Sequence, residues 1–143
     1  MKRLRRTKDE TGGSLVEFAI ISPLLFLLLF GIIEFGFLLF DKAVLTNASR
    51  EGARAGIVFS DPRPIPDDII KAVNDYCSDY LISFSETAAP IVTVTPGEDS
   101  GDLLTVNVTY PYQFLVFAGL SELFGDGIDG TINLTAETVM RLE

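Results

Sequence analysis

The sequence predicts an α+β protein: a long N-terminal helix, half of it transmembrane, and a second amphipathic helix packed on a small three-stranded antiparallel sheet. Three observations carry this. An apolar run from Phe18 to Ile33 holds no charge and resumes from Phe35 to Phe40 beyond Glu34. Apolar residues recur at three- and four-residue spacing from Ile69 onward, the period of a helix with one buried face. After residue 90 the pattern changes to alternation, the period of strands with one wet face.

Residues 1–12 form a basic leader, with Lys2, Arg3, Arg5, Arg6 and Lys8 against Asp9 and Glu10. A helix needs about 20 apolar residues to cross a bilayer, so the expected span is 18–40. The basic arm before it keeps the N-terminus cytoplasmic and exports the rest. A secretory signal peptide starts the same way, but its apolar core is shorter and ends at a small-residue cleavage site. Here Glu34 interrupts the run and Asp41-Lys42-Ala43-Val44 offers no such site, so a retained single-pass anchor is the better reading.

The helical pattern continues through Ala43, Val44, Leu45, Ala48, Ala53, Ala55, Ile57 and Val58. One helix over 13–60 is therefore expected, with a break near Asp41 as the alternative. Gly52 and Gly56 leave flat places where another backbone can approach. Asp61-Pro62-Arg63-Pro64-Ile65-Pro66 cannot continue a helix, so 61–66 is read as a linker before a head domain over 67–143.

In that head, Pro66-Asp67-Asp68 opens the second helix, with acids in its first turn favoured by the dipole. Ile69, Val73, Tyr76 and Tyr80, flanked by Ile70, Cys77, Leu81 and Phe84, extend it to about Phe84. Strands follow at Ile91 to Thr95, from Leu104 to Tyr110, and from Thr131 to Leu142. Their inward residues are expected to be Leu104, Val106, Val108 and Tyr110, then Ile132, Leu134, Ala136, Thr138, Met140 and Leu142. The apolar stretch 114–124 between the last two strands is either a short helix folded onto the sheet or an exposed patch.

Composition narrows function. The leader carries a surplus of +3, so the rest of this chain of net charge −9 carries −12. So acidic a domain repels phosphate backbones, and no nucleic-acid partner is expected. The chain has no histidine, which removes the commonest general base, the commonest metal ligand and every Ser-His or Cys-His nucleophile pair. No catalytic residue, cofactor or metal is expected. Cys77 is the sole cysteine, so no internal disulfide can form, and it reads as a small buried apolar residue. Asp126-Gly-Ile-Asp129-Gly and Glu98-Asp99-Ser-Gly-Asp102 offer oxygen ligands in Gly-rich turns but lack a full calcium spacing; ordinary turn chemistry is expected. Sequons at Asn47, Asn107 and Asn133 mean little without a known host.

Gly12, four residues, then Glu17-Phe18 at the head of a long apolar helix is the pattern that prepilin peptidases cut. The chain resembles type IV pilin-like proteins and, more closely, the TadE-like minor pseudopilins of tight-adherence (Tad) pilus systems. The closer match lies in Gly-Gly-Ser-Leu-Val-Glu-Phe-Ala (12–19) with Pro23, Gly-Ile-Ile-Glu-Phe-Gly (31–36) and Leu-Thr-Asn-Ala-Ser-Arg-Glu-Gly-Ala-Arg (45–54). The C-terminal Thr-Ala-Glu-Thr-Val-Met-Arg-Leu-Glu also looks like the ending of such proteins. The resemblance implies a pilin-like fold, cleavage after Gly12 that makes Gly13 the new N-terminus, and a role in assembly, priming or anchoring of an adhesive pilus. The implied partners are a prepilin peptidase, other pilin-like subunits and the lipid bilayer.

Glu17, as the fifth residue after cleavage, would pair with a neighbour's new α-amine, since a carboxylate near a membrane helix end is costly unless paired. Phe18 belongs with it on the pairing helix. Glu34 lies 17 residues further on, about 26 Å at 1.5 Å per residue, too far for a catalytic carboxylate pair. It sits either at the outer headgroups or against another helix. Pro23 removes one helix hydrogen bond and marks a kink. From a different class, the alternative function is an unprocessed single-span anchor for an extracytoplasmic binding domain; an anchored hydrolase is disfavoured.

Overall fold

The computed structural model describes residues 10–58, 64–82, 89–97, 99–116 and 130–142. Their order is α1 (Glu10–Ile57), α2 (Pro66–Tyr80), β1 (Ile91–Thr95), β2 (Leu103–Gln113) and β3 (Thr131–Arg141). This is the α+β arrangement expected. Most of the basic leader, residues 61–63 of the linker, Phe84, Glu98 and the stretch 117–129 with Asp126 and Asp129 lie outside the described residues.

α1 is 48 residues long, about 72 Å at 1.5 Å per residue. It runs unbroken through Pro23 and Asp41, so no two-helix break exists. Its surface changes character at Glu34. Residues 12–33 have no buried side chain, whereas Glu34, Asp41, Val44, Leu45, Ala48, Ser49, Gly52, Ala53 and Gly56 are buried. The three- and four-residue spacing of that stripe is one face of a helix, and it is the face covered by the head. The segment free of the head is 12–33, because Glu34, Phe37 and Leu38 already touch the head's own residues.

α2 begins at Pro66, as expected, with proline at a position whose N–H would have no helical partner. Ile65 has no side-chain acceptor, but Asp68 reaches back to its amide at 3.3 Å. The helix ends at Tyr80, four residues before the expected Phe84. Leu81 turns extended, with φ −75° and ψ 132°, and Asp41 Oδ1 takes the N–H of Ile82 at 3.0 Å. A contact from 41 residues away thus stops the helix, where local periodicity would let it run on.

The sheet order is β1-β2-β3, antiparallel throughout. β1 pairs from Ile91 with Thr109 to Thr95 with Thr105. β3 pairs with β2 from Leu103 with Arg141 to Gln113 with Thr131. β2 runs past the expected Tyr110 to Gln113 and so includes Pro111. The last β1 pairing is at Thr109, so Pro111 sits where β2 has a free side and a missing N–H is tolerated.

Both helices cover one face of the sheet, α1 over β2 and β3 and α2 against α1 and β1. The core between them is Leu45, Ala48, Ala53, Ile69, Val73, Cys77, Leu104, Val106, Val108, Tyr110, Tyr112, Leu134, Ala136 and Leu142. Every second residue of β2 from Leu104 to Tyr112 points in, so the expected alternation holds with one residue added, Tyr112. Ile132 departs from its expected inward place: it is exposed, near the start of β3. The turn into β2 closes through Asp102, whose carboxylate accepts the Asp99 amide at 3.0 Å, with Gly101 at φ +93°, a backbone region that L side chains rarely adopt.

Candidate functional site

The sequence-predicted site residues divide between the two halves of α1. Gly12, Gly13, Glu17, Phe18 and Pro23 all lie on the exposed half. Gly12 and Gly13 fall in the first turn of α1, and nothing lies within 4 Å of where a Cβ would stand on either. First-turn amides lack helical partners, and each glycine costs a helix about 1 kcal/mol against alanine. No described side chain crowds the bond between them. Glu17 lies about 6 Å further along the axis at 1.5 Å per residue. Its carboxylate joins no ion pair among the described residues; the pair found there is Arg54–Glu51 at 2.9 Å.

Glu34 belongs to the other half. It is only 3% exposed, and its Oε1 accepts two consecutive amides from the end of β2, those of Leu115 and, at 3.0 Å, Val116. The Tyr112 hydroxyl donates to the Glu34 main-chain carbonyl at 3.3 Å, and the Tyr112 ring meets Phe114 edge-on with centroids 5.4 Å apart. The partner of Glu34 is therefore the chain's own head. Burial, followed by the nearby Glu34 and Asp41 carboxylates, pushes the Tyr112 hydroxyl up to about 12, so it remains a donor throughout the ordinary pH range.

One turn pair above, Asp41 is fully buried. Oδ1 holds the Ile82 amide, while Oδ2 meets no hydrogen-bond partner among the described residues. Burial raises its pKa above the usual carboxylate value, and the Ile82 amide only partly opposes this. Lys42 beside it donates to the carbonyl of Thr135 on β3. Ser49 shares a 2.7 Å hydrogen bond with Thr138 on the same strand. Sequence reasoning missed Asp41, Tyr112 and the Ser49–Thr138 pair as seam residues. A signal did exist: Glu34, Asp41 and Ala48 are spaced by seven, in phase on one helical face.

Cys77 is buried on the inner face of α2, and burial pushes its thiol up to about 11. Among the described residues no three His, Cys, Asp or Glu side chains converge as a metal site would require.

Residues 12–54 match the family model described as TadE-like protein. The whole match lies within α1 and covers both its halves. No curated protein and no solved structure gives a significant match to the chain. α1 also contains a segment long and apolar enough to cross a membrane.

Proposed function

We propose that the chain is a TadE-like minor pilin subunit, non-enzymatic, that acts in assembly, priming or anchoring of a Tad or type IV-type adhesive pilus. In this reading residues 12–33 cross the bacterial inner membrane, about 33 Å at 1.5 Å per residue against a hydrocarbon core of about 30 Å. The N-terminus is cytoplasmic and the acidic head lies outside. A prepilin peptidase cuts after Gly12, and other pilin-like subunits pack against the freed helix.

The supporting observation is that the family match coincides with a helix of two distinct halves. One half exposes the Gly12-Gly13 bond, Glu17 and Phe18 on an apolar rod; the other is built into the head. The first half offers an apolar surface to neighbouring helices, and the second carries the head.

Mass spectrometry of the protein from its native host tests the reading. A chain starting at Gly13, restored to full length when the host's prepilin peptidase is deleted, supports it. A mature protein that retains Lys2 with the peptidase present argues instead for an unprocessed anchor.

A further inference from the structure

Where α1 leaves the head, the chain places an apolar foot: Phe114, Leu115 and Val116, directly after the end of β2. Leu115 is 61% exposed, although its own amide is tied to the buried Glu34 carboxylate. Beside the foot runs an open groove of about 530 Å³, lined by Leu24, Leu27, Leu28, Ile32 and Phe35 of α1 and by Phe114. Every one of those side chains is apolar. From Leu24 to Phe35 the groove follows α1 for about 16 Å at 1.5 Å per residue, so one of its walls is the head-free rod itself.

We propose that this foot is an interfacial membrane anchor, with phospholipid acyl chains of the leaflet facing the head filling the groove and Leu115 seated at the boundary between chains and headgroups. The inference rests on the reading that 12–33 spans a bilayer. A span of that length brings Glu34 to the boundary of the hydrocarbon core, and the groove below it then lies inside the leaflet. Acyl chains are what surrounds an apolar wall at that depth. Glu34 fits the same placement: a carboxylate at that depth is costly, and two amide donors offset the cost by charge-assisted hydrogen bonds. The head is thus held down on the bilayer at two points, α1 and the foot.

The chain contains no tryptophan, so single substitutions give clean reporters. Leu29→Trp on the rod, Leu115→Trp on the foot and Val139→Trp on the outer sheet face would be compared in full-length protein reconstituted into phosphatidylcholine vesicles. All three positions are exposed, so the larger ring fits without repacking. With lipids brominated high on the acyl chain, Leu29→Trp and Leu115→Trp are expected to lose most of their emission and Val139→Trp to keep it. Quenching of Leu29→Trp alone overturns the foot and leaves the span standing. Quenching of neither overturns the span as well. Loss of Leu115→Trp quenching as protein-to-lipid ratio rises, with Leu29→Trp still quenched, assigns the groove to a second copy and overturns the lipid assignment.

Discussion

Glu34 and Asp41 are acids seven residues apart on one buried stripe, and their surroundings treat them differently. Glu34 meets two amides, so its charge is stabilised by donors in place of water. Removing that acceptor leaves two partly buried N–H groups without it, which costs up to about 1–3 kcal/mol. Glu34→Ala is therefore expected to lower unfolding free energy in detergent by that order, and Glu34→Gln, which keeps an acceptor, by less; denaturant titration followed by circular dichroism measures both. Asp41 has one amide and an orphan oxygen, and burial raises its pKa. Its folded state holds a proton that the unfolded chain has released, so its contribution is present below the ordinary Asp value of about 3.9 and is lost as pH rises through the raised one. Unfolding free energies of wild type and Asp41→Asn, compared from acid to neutral pH, should diverge with wild type losing ground as pH rises. Cys77, buried with its thiol raised to about 11, should resist maleimide at neutral pH and react promptly once denaturant opens the core, since the thiolate is the nucleophile; a time course of labelled mass distinguishes the two.

At the scale of elements, the outer half of α1 works as a core helix of the head. Gly52 and Gly56 admit α2 and β2 so closely that a Cβ on Gly56 would stand 2.5 Å from Leu104 Cδ2 and 2.6 Å from Ile69 Cδ1. Alanine gains about 1 kcal/mol over glycine in a helix interior, yet here the added carbon has no room. Gly56→Leu should cost about 1–3 kcal/mol through overpacking, read from the denaturation midpoint. The flat places were visible in the sequence, but their occupant was not: they admit the chain's own second helix. The same holds for the block 45–54, where Leu45, Ala48, Ser49, Gly52 and Ala53 face inward. The helices and strands were legible because period and alternation are local properties. The early end of α2 was not, because Asp41 sets it from outside the segment.

Over the whole molecule, charge and hydrophobicity are separated along the chain. An apolar rod whose one charged side chain is Glu17 is followed by a strongly acidic remainder, and the two need different surroundings. Acidic heads repel one another and gain nothing from packing side by side, so association under the proposed function falls to the rod. There Glu17, exposed and outside any ion pair among the described residues, is the polar group able to set register. Glu17→Leu should leave the head's stability unchanged while weakening co-purification of partner subunits from the native membrane; unchanged recovery of partners would remove Glu17 from assembly.

The sequence by itself determined the α+β class, the apolar rod, the strand faces and the family-like block, because each rests on residue type and spacing along one segment. Only the tertiary structure decided where the rod ends and what Glu34 does. Both depend on a residue at the far end of β2, some 80 positions away, returning to α1. Two backbone amides there, of a kind every residue but proline carries, turn a carboxylate that reads as a contact for a membrane or a neighbour into the joint between the helix and its own head.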